Sequence, residues 1–247
     1  MHDLKAEVEE NFKDFATRST AELQASQTAL AARASAYQRD YERLVSLQAW
    51  RTHIMEPRAA TGLPFFLEAQ NDGLVAHIMA RQGAWRTSLM SLRSAIENVC
   101  NALYYMDHPV EATLWGLGKH RLGYADLTEY LKRHPAFLGV SEAGHYVGEM
   151  SAEYSELSKA VHASAANFRM TAAGQMPRLW SSAASDVDAW MERSTRTLLS
   201  INLVLLVTFR EHLQGAAHRN LRKAISLAIP PNRQAKIHEN LGVKLFK

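Results

Sequence analysis

Two polar stripes hold the residues best suited to chemistry. Along the segment from Trp85 to His108, the side chains Arg86, Arg93, Glu97, Asn101, Tyr104 and His108 follow at steps of seven, four, four, three and four. On an α-helix these steps place all six on one face. Around "YSELSKAVHAS", Ser151, Ser155, Ser158 and His162 follow at steps of four, three and four, which makes a second stripe on a second helix. If the two faces meet, a guanidinium, a carboxylate, hydroxyls and an imidazole share one cleft between helices. One chemistry open to that set is metal-independent cleavage of a phosphodiester. His162 would act as general base or acid, and Arg93, beside Glu97, would stabilise the charge of the phosphorane. The other outcome is a satisfied polar network that fixes helix register, with Asn101, Tyr104, Ser155 and Ser158 supplying hydrogen bonds. Arg93 and Glu97 are also an i, i+4 pair, which on an exposed helix is worth only about 0.3–0.5 kcal/mol.

Other chemistries find little support. No phosphate-cradling glycine loop, nucleophile elbow or HExxH is present. The eleven histidines lack metal-ligand spacing, so neither a metal nor a cofactor is expected. The single cysteine, Cys100, rules out an internal disulfide and any cysteine-clustered zinc site, and on an apolar helix face it reads as core. His108-Pro109 and His134-Pro135 stand at helix ends, where the helix dipole favours an imidazole.

The elements that must position these stripes are helices almost everywhere. Residues 3–55 contain no glycine or proline and are rich in Ala, Glu, Gln, Arg and Leu, which predicts a long N-terminal helix. Leu23, Leu30, Tyr37 and Leu44 recur every seven residues but lack a good second seam, so residues 1–56 read as a docking or weak coiled-coil element. "EPRAATGLP", residues 56–64, breaks it. Residues 57–247 then read as a helical bundle. Its clearest pattern is Trp85, Leu89, Leu92, Ile96, Val99, Leu103 and Met106, an apolar stripe that must be buried. Short helices follow near Val110 to Leu117 and from Tyr124. A helix from about Ser141 to Ser164 and a long one from about Ser182 to Leu213 come next. "LLSINLVLLVTF" in the latter is too short and too interrupted to span a bilayer. The fold class expected is all-α, a helical bundle with a long N-terminal helix.

"SLRSAIENVCNALYYMDHP" followed by "EYSELSKAVHASAANF" resembles the HEPN-like helical proteins of prokaryotic defence and toxin–antitoxin systems, over roughly Leu74 to Leu213. The resemblance implies a bundle of four or more helices, and in many members a late Arg-polar-x(4–6)-His motif that cleaves RNA. The chain departs from that motif, because Leu157, Glu156 and Ser155 occupy the positions where arginine belongs before His162. One formal match, Arg233 to His238, is fewer than the roughly 2.5 expected by random placement. The resemblance therefore implies a HEPN-like subunit of a defence or toxin–antitoxin assembly, working through protein partners and in some cases RNA. A metal-independent ribonuclease with an altered site and a non-catalytic coiled-coil scaffold are the alternatives.

The whole chain carries a formal net charge of only +3, with 47% hydrophobic and 21% charged residues, so it does not imply a global grip on nucleic acid. From Arg210 onward, however, eight basic residues face two acids. Arg219, Arg222, Lys223, Arg233 and Lys236 are the candidate contacts to a nucleic-acid backbone or an acidic protein. A partner protein or a second copy is expected on residues 1–55. The charged N-terminus and the absence of an apolar leader predict a cytoplasmic location without membrane contact.

Overall fold

The computed structural model describes residues 4–162, 184–215 and 218–246, and every regular element among them is helical. The N-terminal region does begin with a long helix, α1 (Leu4–Ala31), but the glycine-free stretch is not one rod. It turns at Ala32 and Arg33 into α2 (Ala34–Arg43), then runs through α3 (Val45–Trp50), a π-helical turn (Arg51–Met55) and α4 (Glu56–Arg58). The turn places Arg33 Nε 3.1 Å from Asp188 Oδ1 and lets Asp40 reach the centre of the bundle. Tertiary attachment thus overrides a local sequence that would propagate a single helix.

Residues 34–55 are consequently part of the bundle rather than a separate docking element. Leu44, Leu47, Trp50, Ile54 and Met55 are buried in the same core as the later helices. The break at 56–64 is a turn within one core. Most of α1 lies outside it: residues 4–17 are exposed throughout, and only Ser26 and Leu30 are buried. At about 1.5 Å per residue, the helix is roughly 42 Å long.

After the turn come α5 (Leu63–Arg81) and α6 (Trp85–Asp107), which form the most extensive helix pair. Their close approach depends on Gly62, where a Cβ would stand 2.2 Å from the Ala102 carbonyl oxygen. The expected apolar stripe of α6 is buried from Trp85 to Leu103, with Met106 half-buried. Short helices α7 (Pro109–Gly116), α8 (Tyr124–Arg133) and α9 (Glu142–His145) lead to α10 (Val147–His162). Tyr146, in the left-handed region at φ 57°, separates α9 from α10, so the expected single helix from Ser141 is two. The expected connector after His162 lies outside the described residues.

α11 (Ala184–Thr208) is the central helix. Its apolar run Leu203, Val204, Leu205, Leu206 and Val207 is completely buried, as expected for a core helix. Among the described residues, no helix is long and apolar enough to cross a membrane. A 3-10 turn (Arg210–Leu213), α12 (Arg219–Ala228) and α13 (Pro231–Leu241) complete the chain, with α12 packed against α2 and α3.

Candidate functional site

The two polar stripes do meet, because α10 packs along α6. Arg86 at the start of α6 donates to the Val161 carbonyl at the end of α10 across 2.7 Å, which sets the helices antiparallel. Two to three turns further along α6, Arg93 and Glu97 face Tyr154 and Ser158. Arg93 Nε donates to Ser158 Oγ at 3.0 Å, and one of its terminal nitrogens donates to the Tyr154 hydroxyl. The guanidinium also lies 3.0 Å from Glu97 Oε1 and 4.6 Å from the Tyr154 ring centroid. The Tyr154 hydroxyl in turn donates to Glu97 Oε1 at 2.6 Å, while Ser158 Oγ donates to the Tyr154 carbonyl at 2.8 Å. Burial, followed by the hydrogen bond to Glu97, pushes the Tyr154 phenol up to about 12. Tyr124 of α8 stacks on Tyr154 with ring centroids 3.6 Å apart, and its hydroxyl donates to Ser151. Three helices are joined at this point.

Chemically, the cluster is bonded within itself. All three nitrogens of the Arg93 guanidinium already have acceptors, and both Glu97 oxygens already have donors. One N–H on each guanidinium nitrogen is used in these bonds and two of the five remain, so the cluster is internally bonded without being saturated. His162 is not part of it. It sits exposed at the end of α10, two turns or about 12 Å along the axis from Tyr154. The proposed trio of Arg93, Glu97 and His162 thus resolves into a bonded pair and a distant imidazole. Ser155 is exposed and Ser158 half-buried, so the serine stripe straddles the edge of the interface.

Asn101 is half-buried one turn beyond Glu97 and takes no part in these bonds. Tyr104 belongs to a second cluster at the far end of α6. Its ring stacks on His108 at 4.1 Å between centroids, and Tyr130 of α8 meets it edge-on at 5.0 Å. Asp107 Oδ2 accepts from the Tyr130 hydroxyl at 2.5 Å and contacts His134 Nε2 at 2.9 Å. His134 Nδ1 accepts the Ala136 backbone N–H, which fixes the ring with its Nε2–H towards Asp107. This cluster ties α8 to α6.

Two buried networks leave no signal in the spacing of the sequence. Asp40, 1% exposed, accepts from Ser194, Thr195 and Arg43, and lies 3.0 Å from His77 Nε2. That last approach is a close contact rather than an aligned hydrogen bond. Fully buried Asn202 accepts from Trp50 Nε1 at 2.9 Å and donates to Ser46 and to the Leu198 carbonyl. A groove between α10 and α11, about 420 Å³, is lined by Glu149, Glu153, Glu156, Arg193 and Arg196. Glu153 is 5% exposed and binds Arg193 at 3.0 Å, and its other oxygen has no partner among the described residues. Burial raises its carboxyl to about 7 against the opposing pull of Arg193 and Arg196.

The basic C-terminal residues diverge. Arg233 is held by both oxygens of Glu149 at 2.7 Å and lies over the Tyr146 ring, so it fastens α13 to α10. Arg222 is buried, Arg219 covers Phe246, and Lys223 and Lys236 are exposed. Cys100 is fully buried and its thiol is pushed up by burial. Among the described residues, no group of three or more His, Cys, Asp or Glu side chains is placed to hold a metal ion.

Comparison of the chain with family models, curated proteins and solved structures gave no match.

Proposed function

We propose that the protein is a non-catalytic helical interaction subunit, of HEPN-like type, that serves a prokaryotic defence or toxin–antitoxin assembly by docking a protein partner along α1. The observation that carries the docking element is the row Leu4, Val8, Phe12 and Phe15 on α1, which are 71%, 57%, 68% and 50% exposed. Their steps of four, four and three put them on one helix face, and helices that display such a face bury it against another surface. The Arg93–Glu97–Tyr154–Ser158 cluster supports the non-catalytic part, since its charged groups are bonded to one another and His162 stands apart from them. HEPN-like membership rests on the quoted sequence resemblance.

The test is Phe12→Ser with Phe15→Ser in the full chain. Both side chains lie outside the core, so helicity and melting temperature should stay unchanged. Sedimentation should show loss of self-association, or pull-down should show loss of the protein encoded next door. Retained assembly in both measurements would end this reading. RNA cleavage that vanishes in Arg93→Ala at unchanged melting temperature would instead establish the ribonuclease.

A further inference from the structure

The start of α12 brings basic groups together from four separate elements. His218 stands at the N-cap of the helix in the left-handed region at φ 52°, and its side chain makes no capping hydrogen bond. Helix N-termini present backbone N–H groups and the positive end of the dipole. His53, carried on the π-helical turn, packs its ring edge-on to His218 with centroids 5.9 Å apart. Arg58 at the end of α4 and His212 in the 3-10 turn also lie close enough to act on His218 electrostatically, as does Arg222. Burial and these four basic groups are the strongest influences on that imidazole, and all five disfavour its protonation. No carboxylate is among them.

Arg222 supplies the second observation. It is 2% exposed, yet its Nε and one terminal nitrogen have no hydrogen-bond partner among the described residues. The hydrogen bond it does make is a long one, 3.4 Å, to the Lys244 carbonyl, and its guanidinium lies 4.6 Å from the Phe246 ring centroid. A buried guanidinium with unsatisfied donors is costly, and an anion would satisfy it. A non-glycine residue in the left-handed region, held at the same place, is the kind of local strain that accompanies binding sites. Arg219 extends the positive surface outward over Phe246.

We propose that His53, Arg58, His218 and Arg222, with the N-terminus of α12, form a binding site for a phosphate-bearing anion carrying two or more adjacent negative charges. Guanidinium groups favour phosphate through paired donors, and the anion relieves the burial and the basic neighbours that oppose protonation of His218. This site goes beyond the docking role of α1 and is independent of it. The phosphate could belong to a free nucleotide or diphosphate, or to the end of an RNA strand.

The experiment uses the full chain and titrates pyrophosphate by calorimetry, with the histidine ring resonances followed by NMR. Saturable binding should shift His53 and His218 and take up protons. Arg58→Ala, an exposed position, and His218→Asn, which tolerates the left-handed backbone, should each weaken it about tenfold. Lys236→Ala, on α13, should leave it unchanged. A short RNA oligonucleotide with a 5′-phosphate, compared with its 5′-hydroxyl form, separates the sources. Preference for the phosphorylated strand that is lost in Arg58→Ala assigns the site to RNA ends, and equal binding assigns it to free diphosphates. No saturable pyrophosphate binding, or the same affinity in Arg58→Ala and His218→Asn as in the parent, overturns the proposal.

Discussion

Ser194 and Asp40 are 154 residues apart in sequence, and the Ser194 hydroxyl donates to Asp40 Oδ2 across 2.6 Å. With Thr195, Arg43 and His77 on the same carboxylate, Asp40 is the point at which α2, α5 and α11 are registered. Asp40→Ala leaves the Ser194 and Thr195 hydroxyls without their shared acceptor and the Arg43 guanidinium without its counter-charge. Loss of one member of a buried ionic network costs about 3–5 kcal/mol. Urea unfolding should show that loss, and a change below about 1 kcal/mol would mean that the network does not hold the bundle.

Arg93 and Glu97 join α6 to α10. Arg93→Ala leaves the Tyr154 and Ser158 hydroxyls and Glu97 short of a donor in a half-buried interface. The expected cost is about 1–3 kcal/mol. His162→Ala, at an exposed helix end, should change stability by no more than about 0.5 kcal/mol. Thermal melts of the two variants side by side decide the matter. Equal melting temperatures would contradict a stabilising role for this network.

Glu153 gives the fold a pH dependence. Its carboxyl titrates near 7 in the folded chain because burial opposes ionisation, and at its ordinary value of 4.5 when unfolded. The folded state therefore holds the extra proton between those values. The stabilisation is complete below about pH 4.5 and is lost as the pH rises through 7. Glu153→Gln keeps an acceptor for Arg193 without the charge. It should raise stability at pH 8 by about 2 kcal/mol and flatten the decline between pH 5 and 8. A variant with the parent's pH profile would show that Glu153 is not the group responsible.

Gly62 tests the close approach of α5 and α6. An alanine methyl there would meet the Ala102 carbonyl oxygen at 2.2 Å, and that oxygen belongs to a helix backbone with nowhere to retreat. Gly62→Ala should cost about 2–4 kcal/mol. Gly116, where added bulk meets nothing within 4 Å, makes the control, and Gly116→Ala should be neutral or stabilising. Chemical denaturation of the pair would refute the packing account if both behaved alike.

Regular elements are legible in the sequence because periodicity reports burial directly. Trp85, Leu89, Leu92, Ile96, Val99 and Leu103 face the core as their spacing requires. The meeting of α6 and α10 is legible from two polar stripes, yet its principal member is not. Tyr154 lies on the serine stripe, three residues after Ser151 and four before Ser158, and a stripe defined by small polar residues and histidine omits it. The turn at Ala32 and the burial of Asp40 leave no local trace. Their cause is a contact with α11, and a helix-favouring sequence says nothing about partners 154 residues away. Arg222 looks like any surface basic residue, because a stripe of charge does not reveal which member faces inward.

The π-helical turn at Arg51–Met55 holds one residue more than an α-helical path of the same rise would need. Each added residue rotates the downstream segment by about 100°, so the faces before and after the turn are set by that surplus. Trp50, turned towards Asn202, and His53, turned towards His218, are thereby served by a single continuous rod. Loss of one residue between 51 and 55 would heal the helix locally while pulling those two contacts out of phase. Along most helices a deletion harms the segment that suffers it. Here the damage would surface at a distance, in the alignment of α11 and α12, and the helix itself would look improved.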